Sequence, residues 1–135
     1  MYYHSLKKGP DSKGVAETIK KALEICQEEK IDQLAIAVHT KDQLRANTIS
    51  DVLGKDFIKA LNKNNYAKLG DLEIFLITER INPTNFTKGP IVGFDISIKF
   101  LKRLSNDTRA TDIIFKGWTE EEQQEYLNLF KSEPI

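Results

Sequence analysis

A chain of 135 residues, 40% hydrophobic and 30% charged, has the balance of one globular domain and can bury one sizeable core. Its 20 basic and 20 acidic residues cancel, which disfavours a broad nucleic-acid surface held through phosphates. No apolar run approaches membrane-spanning length. The start MYYHSLKKG lacks the apolar centre of a secretory signal, and the single cysteine, Cys26, excludes an internal disulfide. A reducing cytoplasm is the expected compartment.

Residues 2–6, with two tyrosines, predict a short first strand. From Val15 the apolar residues Val15, Ile19, Ala22, Leu23 and Cys26 recur at helical spacing and predict a helix over about 13–29. Residues 33–39, QLAIAVH, are too short for a buried helix and read as a strand covered on both faces. After the polar loop TKDQLRAN, the stripe Ile49, Val52, Leu53, Phe57, Ala60 and Leu61 predicts one helix, capped by Asn47 or Thr48. Gly54 lies inside that stripe and suggests close packing.

NKNNYAKLGD reads as a turn-rich break, and residues 72–78, LEIFLIT, as the clearest strand. ERINPTNFTKGP has no helical stripe and reads as a loop, which leaves an irregular crossover or an antiparallel strand after it. IVGFD, 91–95, and DIIFK, 112–116, are two more strands. Between them Ser97 caps a short helix carrying Phe100, Leu101 and Leu104. Thr119 and Glu122 form a capping box that opens the last helix, with Tyr126, Leu127 and Phe130 inward. The alternation predicts an α/β fold: a single three-layer α/β/α domain over 1–135, Rossmann-like, with a mainly parallel sheet of about five strands.

In such a sheet ligands bind outside the carboxyl ends of the strands. Five segments are expected there: 7–13, 40–42, 79–82, 95–97 and 116–119. In the first, Gly9 and Gly14 resemble the spacing of a phosphate-binding loop, but Val15 and Ala16 stand where that motif requires Lys and Ser or Thr. The favoured reading is a turn with Asp11 or Ser12 as helix cap. The sharper one is an anion site with Lys7, Lys8, Ser12 and Lys13 near the helix start. HTKDQLRANT supplies Thr40, Lys41 and Arg45, residue types that hold phosphate or carboxylate. Asp95 is read as a hydroxyl-binding group or a cap. Trp118 is read as a plug against the last helix in preference to a stacking platform. His4 and His39 lack a metal-binding spacing, so neither a metal nor a cofactor is expected. Cys26 is expected as a core thiol.

The pieces YYHSLKKG, GVAETIKKALEICQEEKI and QLAIAVHT, about the first third of the chain, resemble the start of small α/β domains similar to the pyruvate kinase C-terminal domain. Asp11, Ser12 and Lys13 stand where that family shows Asn-Thr, and its glycine after the second strand is missing. The resemblance implies a fold and carries over no catalytic residue. Two functions follow as expectations. One is binding of a small anion, a nucleotide or phosphorylated metabolite, by Lys7, Lys8, Ser12, Lys13, Thr40, Lys41, Arg45 and Asp95, with no base–nucleophile pair to indicate catalysis. The other is a non-catalytic interaction or assembly domain, with Tyr66, Phe86 and Trp118 anchoring a protein partner or a second copy.

Overall fold

The computed structural model describes every residue except Lys8, Pro10 and Ala46. It holds an α/β fold around one seven-stranded sheet: β1 (Tyr2–His4), β2 (Gln33–Ala37), β3 (Tyr66–Leu69), β4 (Leu72–Ile77), β5 (Gly89–Phe94), β6 (Ala110–Lys116) and β7 (Ser132–Pro134). The order across the sheet is β3-β4-β2-β5-β6-β1-β7, and only the β3–β4 pair is antiparallel. Five helices accompany it: α1 (Ser12–Glu29), α2 (Asn47–Leu53), α3 (Lys55–Asn64), α4 (Ile98–Ser105) and α5 (Glu120–Leu129), with a 3-10 turn over Lys41–Arg45.

The expected count of about five strands is corrected to seven. β3 lies inside the segment read as a break, where Gly70 and Asp71 join Leu69 to its partner Leu72 in a two-residue hairpin. β7 is only three residues and exists because it pairs with β1. The crossover after β4 has no helix, yet it delivers β5 parallel to β2.

The single helix expected over the second apolar stripe is also corrected. It divides at Gly54, whose φ of 90° and ψ of 144° no ordinary residue adopts without strain. A Cβ there would meet nothing within 4 Å, so the glycine serves the bend and not close packing. The cap expected at Asn47 or Thr48 falls on the first helical residues of α2, and residue 46 before them lies outside the described residues.

Each central strand sends alternate side chains to opposite faces. Leu34, Ile36, Ile74, Leu76, Val92 and Ile114 join Val15, Ile19 and Ala22 of α1 and Ile49, Ile58 and Leu61 of α2 and α3 in one core cluster. Ala35, Ala37, Phe75, Ile77, Ile91 and Phe115 join Phe100, Leu101 and Leu104 of α4 and Tyr126 of α5 in the other. Helices packed in the first cluster follow β1 and β2, where the chain steps toward β4. Helices packed in the second follow β5 and β6, where it steps toward β7. Reversing direction and face together keeps one hand of crossover. It also makes the chain leave the neighbouring strands β2 and β5 on opposite sides.

Candidate functional site at the carboxyl edge

The five segments expected at the carboxyl edge follow β1, β2, β4, β5 and β6, all mutually parallel, so they share that edge. β2 and β5 are neighbours whose chains depart in opposite directions, the point where open α/β sheets leave a crevice. His39, just past β2, is held there from two sides. Its Nε2 accepts the Ser97 backbone N–H at 2.9 Å, and its Nδ1 lies 2.8 Å from Glu79 Oε1. A backbone N–H can only donate, so Nε2 carries no proton and the Nδ1–H donates to Glu79. Gln43 closes the loop after β2, its Oε1 accepting from the backbone N–H groups of His39 and Thr40. On the other side of β2, between its carboxyl end and that of β4, a cleft of about 460 Å³ is lined by His39, Thr40, Lys41, Thr78, Glu79 and Arg80, with Ile81.

After β5 the chain turns at Asp95, which sits in the left-handed region with φ 54°, a conformation that Asp enters more readily than most residues. Ser97 then caps α4 by accepting from Phe100 N–H at 3.2 Å. Asp95 Oδ1 faces Lys116 Nζ at 2.9 Å. Burial raises the Asp95 carboxyl above the ordinary carboxylate range, and the lysine offsets this only in part. Lys116 is 1% exposed. Its stem passes the first turn of α1, where a Cβ on Gly14 would lie 3.3 Å from Lys116 Cδ.

The eight residues expected to bind an anion are distributed over several places. Asp11 is the cap of α1, its carboxylate accepting from Lys13 N–H at 2.9 Å and Gly14 N–H at 3.3 Å. Those are amides that an incoming phosphate would use, and a negative group already occupies them. Lys7 pairs with Glu17, Ser12 is the first helical residue, and Lys13 is exposed. Lys8 lies outside the described residues. Thr40 and Lys41 line the cleft beside His39, and Lys41 Nζ also donates to Asn62 O at 2.7 Å. Arg45 lines a different cleft, between the 3-10 turn and α3. Among the described residues no side-chain hydrogen bond or ion pair joins any two of the eight.

The sequence places Glu79, Arg80 and Lys116 in the expected edge segments but not among the eight binding residues, and Gln43 is in neither set. Trp118, expected as a plug, is 50% exposed and belongs to neither core cluster. His4 is buried and bonded through Nδ1 to Ser132 Oγ at 2.7 Å, far in sequence from the partners of His39. Among the described residues no three or more His, Cys, Asp and Glu side chains gather as metal ligands would. No helix of the described residues is long and apolar enough to cross a membrane. Comparison with known protein families finds no matching family model, and comparisons with curated proteins and with solved structures find no match.

Proposed function

We propose that the chain is a single three-layer, Rossmann-like domain that binds a small anionic molecule, a nucleotide or phosphorylated metabolite, at the carboxyl edge beside β2. The observation that carries this reading is the cleft of about 460 Å³ between the carboxyl ends of β2 and β4, lined by Lys41, Arg80 and Thr40 and by His39, which is locked in one tautomer. Its volume is that of a small-molecule site. Arg80 supplies a planar fork suited to phosphate or carboxylate, Thr40 a hydroxyl, and Glu79 an acceptor for a ligand hydroxyl. Binding, not catalysis, is the role these groups support. The fold likeness of the first third to the pyruvate kinase C-terminal domain belongs to this proposal, and so does a cytoplasmic setting.

A thermal-shift series with nucleotides and phosphorylated sugars tests it. A ligand in large excess over its Kd raises the melting temperature, and Arg80→Ala abolishes the rise. No rise with any anion, together with a concentration-dependent dimer, supports the interaction-domain reading instead. Of the three aromatic anchors considered for that reading, Phe86 is buried against Phe75, and Trp118 is the one largely open to solvent.

A further inference from the structure

The strongest unassigned feature lies on the flank of α3, not at the carboxyl edge. A cleft of about 490 Å³ opens between the 3-10 turn, α2 and α3, and four cations line it: Arg45, Lys55, Lys59 and Lys63. Asn62 adds an amide, and the buried Ile58 forms an apolar wall. Among the described residues no carboxylate lines this cleft. The chain as a whole is neutral, so the charge is concentrated here and not a sample of a basic surface.

The three lysines stand at i, i+4 and i+8 of α3, the spacing at which side chains are neighbours and like charges repel. Among the described residues none of the three has an ion pair or hydrogen bond with a carboxylate. Arg45 has one acidic neighbour, Asp42, at 4.0 Å and wide open to water. Successive lysines rise about 6 Å along the helix, so the row presents charge along a line and Arg45 faces it from the other wall. A single carboxylate would meet only part of this array. A chain of linked phosphoryl groups would meet all of it, with the guanidinium gripping two oxygens at once.

We infer that this cleft binds a compact oligophosphate group, either free or as the tail of a nucleoside polyphosphate. The site is separate from the carboxyl-edge cleft and requires nothing of it.

Calorimetric titration of the whole chain with inorganic tripolyphosphate tests the inference, with a nucleoside triphosphate and a nucleoside monophosphate in parallel. Tripolyphosphate is expected to bind below about 1 mM. The affinity should fall with added salt. Comparable affinity for the triphosphate nucleotide and tripolyphosphate marks the phosphate chain as the recognised part. Much tighter binding of the nucleotide assigns the source as a nucleotide tail. Lys59→Gln with Lys63→Gln should weaken binding by about tenfold or more. Without ligand, the same variant should melt no lower than the parent, because a repulsion has been relieved. The charge-matched variant Lys99→Gln with Lys102→Gln, exposed on α4, should bind as the parent does. The inference is overturned by absent binding, by equal loss in the α4 variant, by equal affinity for the monophosphate, or by a single-stranded oligonucleotide that binds more tightly than tripolyphosphate.

Discussion

Asp95 Oδ1 and Lys116 Nζ meet at 2.9 Å at the carboxyl ends of β5 and β6, with the lysine enclosed beneath the first turn of α1. The ammonium has three donors, and among the described residues Asp95 Oδ1 is its one acceptor.

Removing either partner strands the other charge, but Asp95→Asn leaves the fully enclosed lysine, 1% exposed, whereas Lys116→Met leaves a carboxyl that is 19% exposed and already inclined to take up a proton. Asp95→Asn keeps a residue that tolerates φ 54° and should cost about 3 kcal/mol of unfolding free energy. Lys116→Met should cost less than about 1 kcal/mol, and adding it to Asp95→Asn should recover most of the loss. Urea unfolding of the four proteins gives the cycle. Equal losses for both single variants would show that the buried charge does not dominate.

Gln33 ties the helix-free crossover to the sheet. Its Oε1 accepts from Thr87 N–H at 2.8 Å and Lys88 N–H at 3.3 Å, while its Nε2 donates to Asn85 O at 3.1 Å. At the start of β5, a Cβ on Gly89 would sit 2.1 Å from Gln33 O. Gly89→Ala should therefore cost at least about 3 kcal/mol. Gln33→Leu should cost about 2–3 kcal/mol, by leaving loop amides unpaired. Chemical denaturation measures both, and amide exchange in Gln33→Leu should quicken first over residues 85–88.

Burial of His4 holds its imidazole below the ordinary histidine range. The unfolded chain therefore takes up a proton at a higher pH than the native protein does. The contribution to stability is complete above the unfolded value and declines as pH falls from there through the lowered native value. The urea midpoint should drop as pH falls below the ordinary histidine range, and His4→Gln should flatten that part of the profile.

Cys26 lies in the core against Ile25 and Ala22, and burial pushes its thiol up to about 11. At about pH 8 the native protein should resist iodoacetamide, and the urea-unfolded chain should be alkylated readily. Mass spectrometry of the two samples decides it. Rapid native labelling would mean that the core around α1 opens often.

Features that rest on a few neighbouring residues could be read directly. The Asp11 cap of α1 was one of two candidates, and the Thr119–Glu122 capping box was read as it stands. The apolar stripes of α1 and α4 and the runs of β2, β4, β5 and β6 were also legible, because their periods are local signals of burial. β3 has a local signal too, the Gly70–Asp71 pair directly between two strand-like segments, but it is weak beside the polar residues around it. The break at Gly54 was visible as a residue but not as a conformation, since a glycine within an apolar stripe fits a tight contact as well as a bend.

The composition of the edge depended on pairings distant in sequence. Lys116 shares a period-two face with Ile114, so its inward direction was implicit in DIIFK. Its partner Asp95, however, is 21 residues away and is brought opposite by the register of β5 on β6. The His39–Ser97 bond spans 58 residues and exists because β2 lies beside β5. Arg45 and Lys41, four residues apart, part company because the 3-10 turn directs them to different clefts.

By itself the sequence determined where strands and helices alternate, which faces are apolar and where helices begin, because these follow from periodicity and short-range hydrogen bonds. Strand order, the short strands β3 and β7, and which charges share a cleft were decided only in the tertiary structure. A three-residue strand has no stability without its neighbour, and a side chain's electrostatic role depends on what the sheet places against it.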